Sequence, residues 1–214
     1  MRFWSVAAML IALLVTHGSA AAHPHVWVSA QTTVMFENSQ MARVRHAWTF
    51  DEGFSAFAIQ GLDANGDGIY TREELQELAE VNVTSLKEFD YFTFATLGET
   101  DLPFSEPTNY WLAYQGDRLI LHFDLPLQKP VPVSEKLVVD VYDSTFFVDF
   151  GFADEQPALL AGSQACSAKV VRPKDLPVDI IDRLNALPAD IGELPEELKP
   201  YAASLVNGIH VSCA

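Results

Sequence analysis

From position 25 onward the side chains alternate. Val26, Val28, Ala30, Thr32, Val34 and Phe36 share one parity, and Trp27, Ser29, Gln31, Thr33 and Met35 share the other. A period of two marks a strand with one face in a core. Glu37-Asn38-Ser39-Gln40 interrupts it, and Ala42, Val44, His46, Trp48 and Phe50 resume it. This predicts a β-hairpin with a short polar loop, pairing Thr32 near His46 and Phe36 near Ala42. The period then lengthens. Phe54, Phe57, Ala58 and Gly61 recur at helical spacing, and so do Leu75, Leu78, Ala79, Asn82, Val83 and Leu86 in a second helix expected from Thr71.

Past residue 90 the strand pattern returns at Tyr91–Leu97, Asn109–Gln115, Arg118–Leu125, Leu137–Tyr142, Phe146–Phe150 and Lys169–Arg172. Gln115-Gly116-Asp117-Arg118 has the composition of a tight hairpin turn. Each strand is half polar, which suits antiparallel sheets with one wet face. Six of the 12 prolines fall between residues 157 and 200, around a helical stretch at Val178–Leu187, so the last third is expected to be irregular. The fold class is α+β: an antiparallel, sandwich-like β-sheet assembly carrying a helix–loop–helix insertion. Residues 23–150 make the β-rich domain, and 151–214 a proline-rich tail packed on it.

The opening 22 residues read as a signal peptide. Arg2 precedes the apolar run Val6–Val15, and Ala20-Ala21-Ala22 offers the small residues that precede a cleavage site. The run is shorter than the roughly 20 residues that span a bilayer. The mature chain is then expected to begin at His23 or an alanine or two earlier, with no transmembrane segment, in a bacterial periplasm. Export makes the two cysteines readable. An oxidising compartment favours a Cys166–Cys213 bridge, and without a C-x-x-C motif the pair reads as structural.

Composition narrows the partners. With 49% hydrophobic and 11% aromatic residues, the chain is too apolar for a disordered protein. A formal charge of −16 argues against nucleic acid and anionic lipid, and favours cations. No nucleophile–base pair or H-E-x-x-H motif points to an enzyme.

Candidate chemistry lies in two places. Asp63-Ala64-Asn65-Gly66-Asp67-Gly68-Ile69-Tyr70-Thr71-Arg72-Glu73-Glu74 matches the EF-hand pattern D-x-[DN]-x-[DN]-G-x5-E. That spacing brings oxygens round one Ca²⁺ from Asp63, Asn65, Asp67, the Ile69 carbonyl, Thr71 and a bidentate Glu74. Gly68 supplies the sharp turn. Tyr70 stands where an aliphatic residue is usual. A second such loop is absent from the sequence, so the expected role is structural.

The other place is His23-Pro24-His25. Cleavage after Ala22 would leave an α-amine and two imidazoles, a donor set for Zn²⁺, Ni²⁺ or Co²⁺ rather than Ca²⁺. The hairpin register brings Asp51 and Glu52 opposite the start of the first strand, as candidate carboxylate ligands. It carries His46 about 23 Å away along the strand. His46 reads as a core histidine. His122 shares a face with Asp124 and reads as a surface residue, with the pair as a fallback metal site.

The motifs His23-Pro24-His25-Val26-Trp27, Trp48-Thr49-Phe50-Asp51-Glu52, the 63–74 loop, Tyr142-Asp143-Ser144-Thr145-Phe146-Phe147-Val148-Asp149-Phe150 and Ala165-Cys166-Ser167-Ala168 carry a resemblance. The chain resembles a periplasmic family of unknown function described as "ABC-type uncharacterized transport system, periplasmic component". The resemblance implies an exported protein accompanying a nickel/cobalt-type (NicO-like) permease, linked to zinc and related metals. The expected function is a periplasmic metal-handling accessory with a structural Ca²⁺ site. The alternative is a calcium-stabilised interaction domain without a transition metal.

Overall fold

The computed structural model describes residues 26–145, 147–163, 165–188, 194–202, 204 and 206–214. The segment read as a signal peptide, with His23 and His25, lies outside the described residues. Among the described residues no helix is long and apolar enough to cross a membrane.

The protein is mostly β, with few helices. The first sheet contains β1 (Val26–Glu37), β2 (Gln40–Phe50), β5 (Thr108–Gln115), β6 (Arg118–Pro132) and β8 (Val148–Phe152), in the order β5-β6-β2-β1-β8. A further strand, β9 (Ala158–Ala161), also pairs with β1. The second sheet contains β3 (Thr93–Leu97), β4 (Thr100–Asp101), β7 (Leu137–Val141), β10 (Cys166–Val171) and β11 (Asn207–Cys213), ordered β10-β11-β7-β3-β4.

The hairpin forms as its alternation requires, with Thr32 opposite His46. At the turn the expected pairing shifts: Phe36 faces Met41, not Ala42, and a bulge absorbs the extra residue. The cause is a two-residue turn whose residues Asn38 and Ser39 both have positive φ, 49° and 63°. The turn at Gly116-Asp117 closes as read, with Gln115 opposite Arg118.

The first sheet is mixed rather than antiparallel throughout. β8 runs parallel to Val26–Ala30 and β9 parallel to Thr32–Met35, end to end along one edge of β1. Parallel pairing needs a crossover, and the excursion through β3 and β7 of the other sheet provides it before β8 returns. Strand ends also move: Phe146–Phe150 becomes Val148–Phe152, and Lys169–Arg172 becomes Cys166–Val171. The proline-rich stretch contributes more regular structure than its composition foretells, since β9, β10 and β11 all lie beyond residue 157.

The two sheets share one core. Val28, Val34, Trp48 and Phe123 from the first meet Val139 and Ile209 from the second. Helix α1 (Glu52–Ala58) follows β2, and α2 (Gln76–Ser85) begins five residues later than the expected Thr71. Glu74 takes the amide of Thr71, so the chain there makes turns before helix sets in. A kinked 3₁₀ segment, Leu86–Phe92, leads into β3. In the tail, α3 (Val178–Asn185) and α4 (Lys199–Ala202) enclose a small cluster around Ile180, Leu184 and Leu198.

Candidate functional site

The 63–74 loop folds round its own carboxylates. Asp63 Oδ1 accepts from the amides of Gly66 (2.8 Å) and Asp67 (3.2 Å), and Oδ2 from Gly68 (2.9 Å). Asn65 Oδ1 accepts from Asp67 N at 2.9 Å, and Asp67 Oδ1 from Ile69 N at 2.8 Å. These bonds set the curvature, and Gly66 and Gly68 adopt the positive φ it demands, 72° and 77°. Glu74 closes the ring. Its carboxylate accepts from the Thr71 amide and hydroxyl and from the Ala64 amide, which hold it below the usual carboxylate range.

The donors are hard oxygens with free lone pairs, the chemistry Ca²⁺ takes. Glu74 is spent on backbone amides, however. Among the described residues no three His, Cys, Asp or Glu side chains are gathered as a metal cluster. Coordination therefore requires Glu74 to share its oxygens or turn inward.

The loop is docked on the first sheet. Tyr70 packs edge-on against Tyr114 of β5, with ring centres 4.9 Å apart. That contact explains the aromatic residue at this loop position. Arg72 lies 4.4 Å over the ring of Trp111, which in turn stacks on His122 at 4.6 Å.

At the start of β1 the register places Asp51 beside Trp27, as expected. Asp51 Oδ1 caps α1 by accepting from Phe54 N at 2.9 Å, and Oδ2 accepts from Trp27 N at 3.0 Å. Glu52 pairs with Arg118 at 2.9 Å. A helix had to start directly after β2, and both side chains serve that junction. Asp149 of β8 was missed. It lies opposite Trp27 and is half-buried, and among the described residues its carboxylate has no hydrogen-bond or ion-pair partner. Burial alone pushes its carboxyl above the usual range. A charged residue flanked by Val148 and Phe150 in a strand was the available signal.

The histidines separate by environment. His46 is fully buried, with Nδ1 3.0 Å from Thr32 Oγ1 and Nε2 3.2 Å from Thr93 Oγ1. Desolvation lowers its pKa to about 3. The core reading of His46 holds. His122 is half-buried against Trp111, and burial, then Arg72 and Arg45, lowers its pKa. Asp124, the fallback partner, is already engaged. Asp124 is 1% exposed, and Arg45 grips it through both oxygens at 2.5 and 2.9 Å while Asn109 donates at 3.1 Å.

Cys166 and Cys213 are directly opposite in the β10–β11 pair and form a disulfide closing 47 residues. The bridge sits where the second sheet ends, which fits a structural role.

The chain belongs to the DUF1007 family, proteins of unknown function, whose model matches residues 8–213. An uncharacterized protein of Haemophilus influenzae is 28% identical over 169 residues, covering 77% of this chain and 80% of that one. An uncharacterized 15.5 kDa protein encoded in the trpE 3′ region of Spirochaeta aurantia is 33% identical over 102 residues. That match covers 48% of this chain and 73% of the relative. No solved structure matches.

Proposed function

We propose that this DUF1007 protein is an exported, periplasmic metal-handling accessory of a transition-metal transport system, with one structural Ca²⁺ in an EF-hand-like loop. It is not an enzyme in this reading. Its partner is a membrane permease of the NicO-like kind, and its cargo is Zn²⁺, Ni²⁺ or Co²⁺.

The observation that carries the reading is Asp149. A half-buried carboxylate with no partner among the described residues is costly, and a bound cation would offset that cost. Asp149 pairs with Trp27, and the chain from Trp27 back to His25 spans at most about 7 Å. The imidazole of His25 is therefore within reach of Asp149 by covalent length alone. Processing at Ala22 would add the amine and imidazole of His23. Asp149 joins Asp51 and Glu52 as a candidate carboxylate ligand, and those two already hold α1 and Arg118. The acidic surface supports the reading further, since it concentrates cations near the mouth of a transporter.

Calorimetric titration of Zn²⁺ and Ni²⁺ into protein beginning at His23 tests this. Binding should weaken at least tenfold in His23→Ala/His25→Ala and in Asp149→Asn, and on extending the amino terminus by Gly-Ser. Equal binding by all four proteins would remove the site. Calcium as the sole metal of processed protein would favour a calcium-stabilised interaction domain instead, a reading that the loop's oxygen-only donor set supports.

A further inference from the structure

Asparagine followed by glycine occurs twice in the chain, at Asn65-Gly66 and at Asn207-Gly208. The pair has a chemistry of its own. With no Cβ to shield it, the glycine amide nitrogen can attack the asparagine side-chain carbonyl, expel ammonia and close a cyclic succinimide. The two sites are alike in sequence, and the fold separates them.

Asn207 lies in β11, 1% exposed, with its side chain reaching across to β8. Its Nδ2 donates to the Phe150 carbonyl, and its Oδ1 accepts from Phe152 N at 3.3 Å. Swinging the side-chain carbonyl onto Gly208 N would break both bonds, and hydrolysis would need water in the core. This pair is locked.

Asn65 and Gly66 are exposed, and nothing lies within 4 Å of the place a Gly66 Cβ would take. The groups around them suit the reaction. Asp63 Oδ1 accepts from Gly66 N at 2.8 Å, so a carboxylate already holds the proton that the attacking nitrogen must shed. Asp67 N donates to Asn65 Oδ1 at 2.9 Å, the oxygen on which negative charge develops during attack. The same N–H also reaches Asp63 Oδ1 at 3.2 Å. Asn65 Nδ2, the leaving nitrogen, donates to Asp67 Oδ2 at 2.9 Å. Base, nucleophile and oxyanion donor all come from Asp63–Asp67.

We propose that Asn65 is a self-modification site. Asp63 takes the Gly66 amide proton, the nitrogen bonds to Asn65 Cγ, and ammonia leaves with that proton. Water then opens the succinimide, so one water is consumed for each ammonia released. Opening at Cγ restores the main chain with an aspartate at this position. Opening at the main-chain carbonyl routes the backbone through the side chain and lengthens it by a methylene. The first product adds a charged oxygen at the third position of the loop, and the second breaks the EF-hand spacing. That consequence rests on the structural Ca²⁺ reading. The covalent step does not, and it is measured without metal.

The full processed chain is held in EDTA at neutral pH in heavy-oxygen water and digested with trypsin at intervals. Asn65 should lose ammonia and take up one heavy oxygen, and protein isoaspartyl methyltransferase should label part of the product. Asn207 should stay intact over the same period. Conversion at Asn65 should outrun that of a synthetic peptide spanning residues 62–69, which lacks the fixed turns. Asp63→Ala should slow it about tenfold, less than a sequestered base contributes because this segment is open to water. Asn207 doubles as the folding control, since an unfolded variant loses both asparagines together. An unchanged Asn65, a folded wild-type chain no faster than the peptide, or wild-type conversion in Asp63→Ala with Asn207 intact would each overturn the proposal. In a separate titration Asn65→Asp should bind Ca²⁺ several-fold more tightly than freshly prepared wild type. Binding by neither removes the Ca²⁺ reading and leaves the self-modification standing on its own measurement.

Discussion

His46 Nε2 lies 3.2 Å from Thr93 Oγ1, a side-chain hydrogen bond between β2 of one sheet and β3 of the other. The direction of that bond follows from its neighbours. Thr93 donates its hydroxyl proton to the Tyr91 carbonyl at 2.8 Å, so its oxygen must accept from Nε2–H. The Thr32 hydroxyl then donates to Nδ1 at 3.0 Å. One neutral tautomer satisfies every group, and a second proton would place a charge on a fully buried ring.

Acid should therefore destabilise the fold through His46. Its folded pKa of about 3 lies below the ordinary 6.5, so the stabilisation is present above pH 6.5 and is lost as pH falls towards 3. At pH 5 the loss should be about 2 kcal/mol relative to neutral pH. Urea unfolding at the two pH values measures it, and His46→Asn should flatten the slope. Equal slopes would remove His46 as the cause.

Asp124→Asn should cost about 1–3 kcal/mol, because Arg45 loses a carboxylate held by two bonds while the side chain stays buried. Burial raises the carboxyl, but bonds from Arg45 and Asn109 outweigh it, so the net pKa is below 3.8. Its stabilisation should persist above about pH 4 and fade in stronger acid. A denaturation midpoint unchanged by the substitution would contradict this.

Calcium should raise the melting temperature. At a hundredfold excess over Kd the linkage gain is about 2.7 kcal/mol. Glu74→Gln should weaken binding and shrink the shift, since a charged ligand is lost. Identical melting curves in EDTA and in Ca²⁺ would rule out the site.

Reducing the Cys166–Cys213 bridge closes no new gap in the core but frees a 47-residue loop. The loss of stability should be about 4 kcal/mol, from chain entropy in the unfolded state. Paired Cys166→Ser/Cys213→Ser substitutions read by chemical denaturation measure it. Alkylation of unreduced, exported protein should label neither thiol.

Local pattern was enough for the hairpin register and the core histidine. A period of two on each strand brings Thr32 opposite His46, because both must face the core, and the bulge beside the turn adjusts the count to that requirement. The turns of the 63–74 segment follow from residues within it, because the Asx bonds that shape them are local. Three things were decided by tertiary structure. β8 and β9 both join β1 in parallel only after the chain has crossed the other sheet, and no local period encodes such a partner. Asp51 and Glu52 lie where the register expected them, but their cap on α1 and their pair with Arg118 come from elements brought together by folding. Among the described residues the same folding leaves the Asp149 carboxylate unpaired and the Trp48 indole without an acceptor. Those two deficits are properties of packing, in which a group's cost depends on what distant strands place beside it.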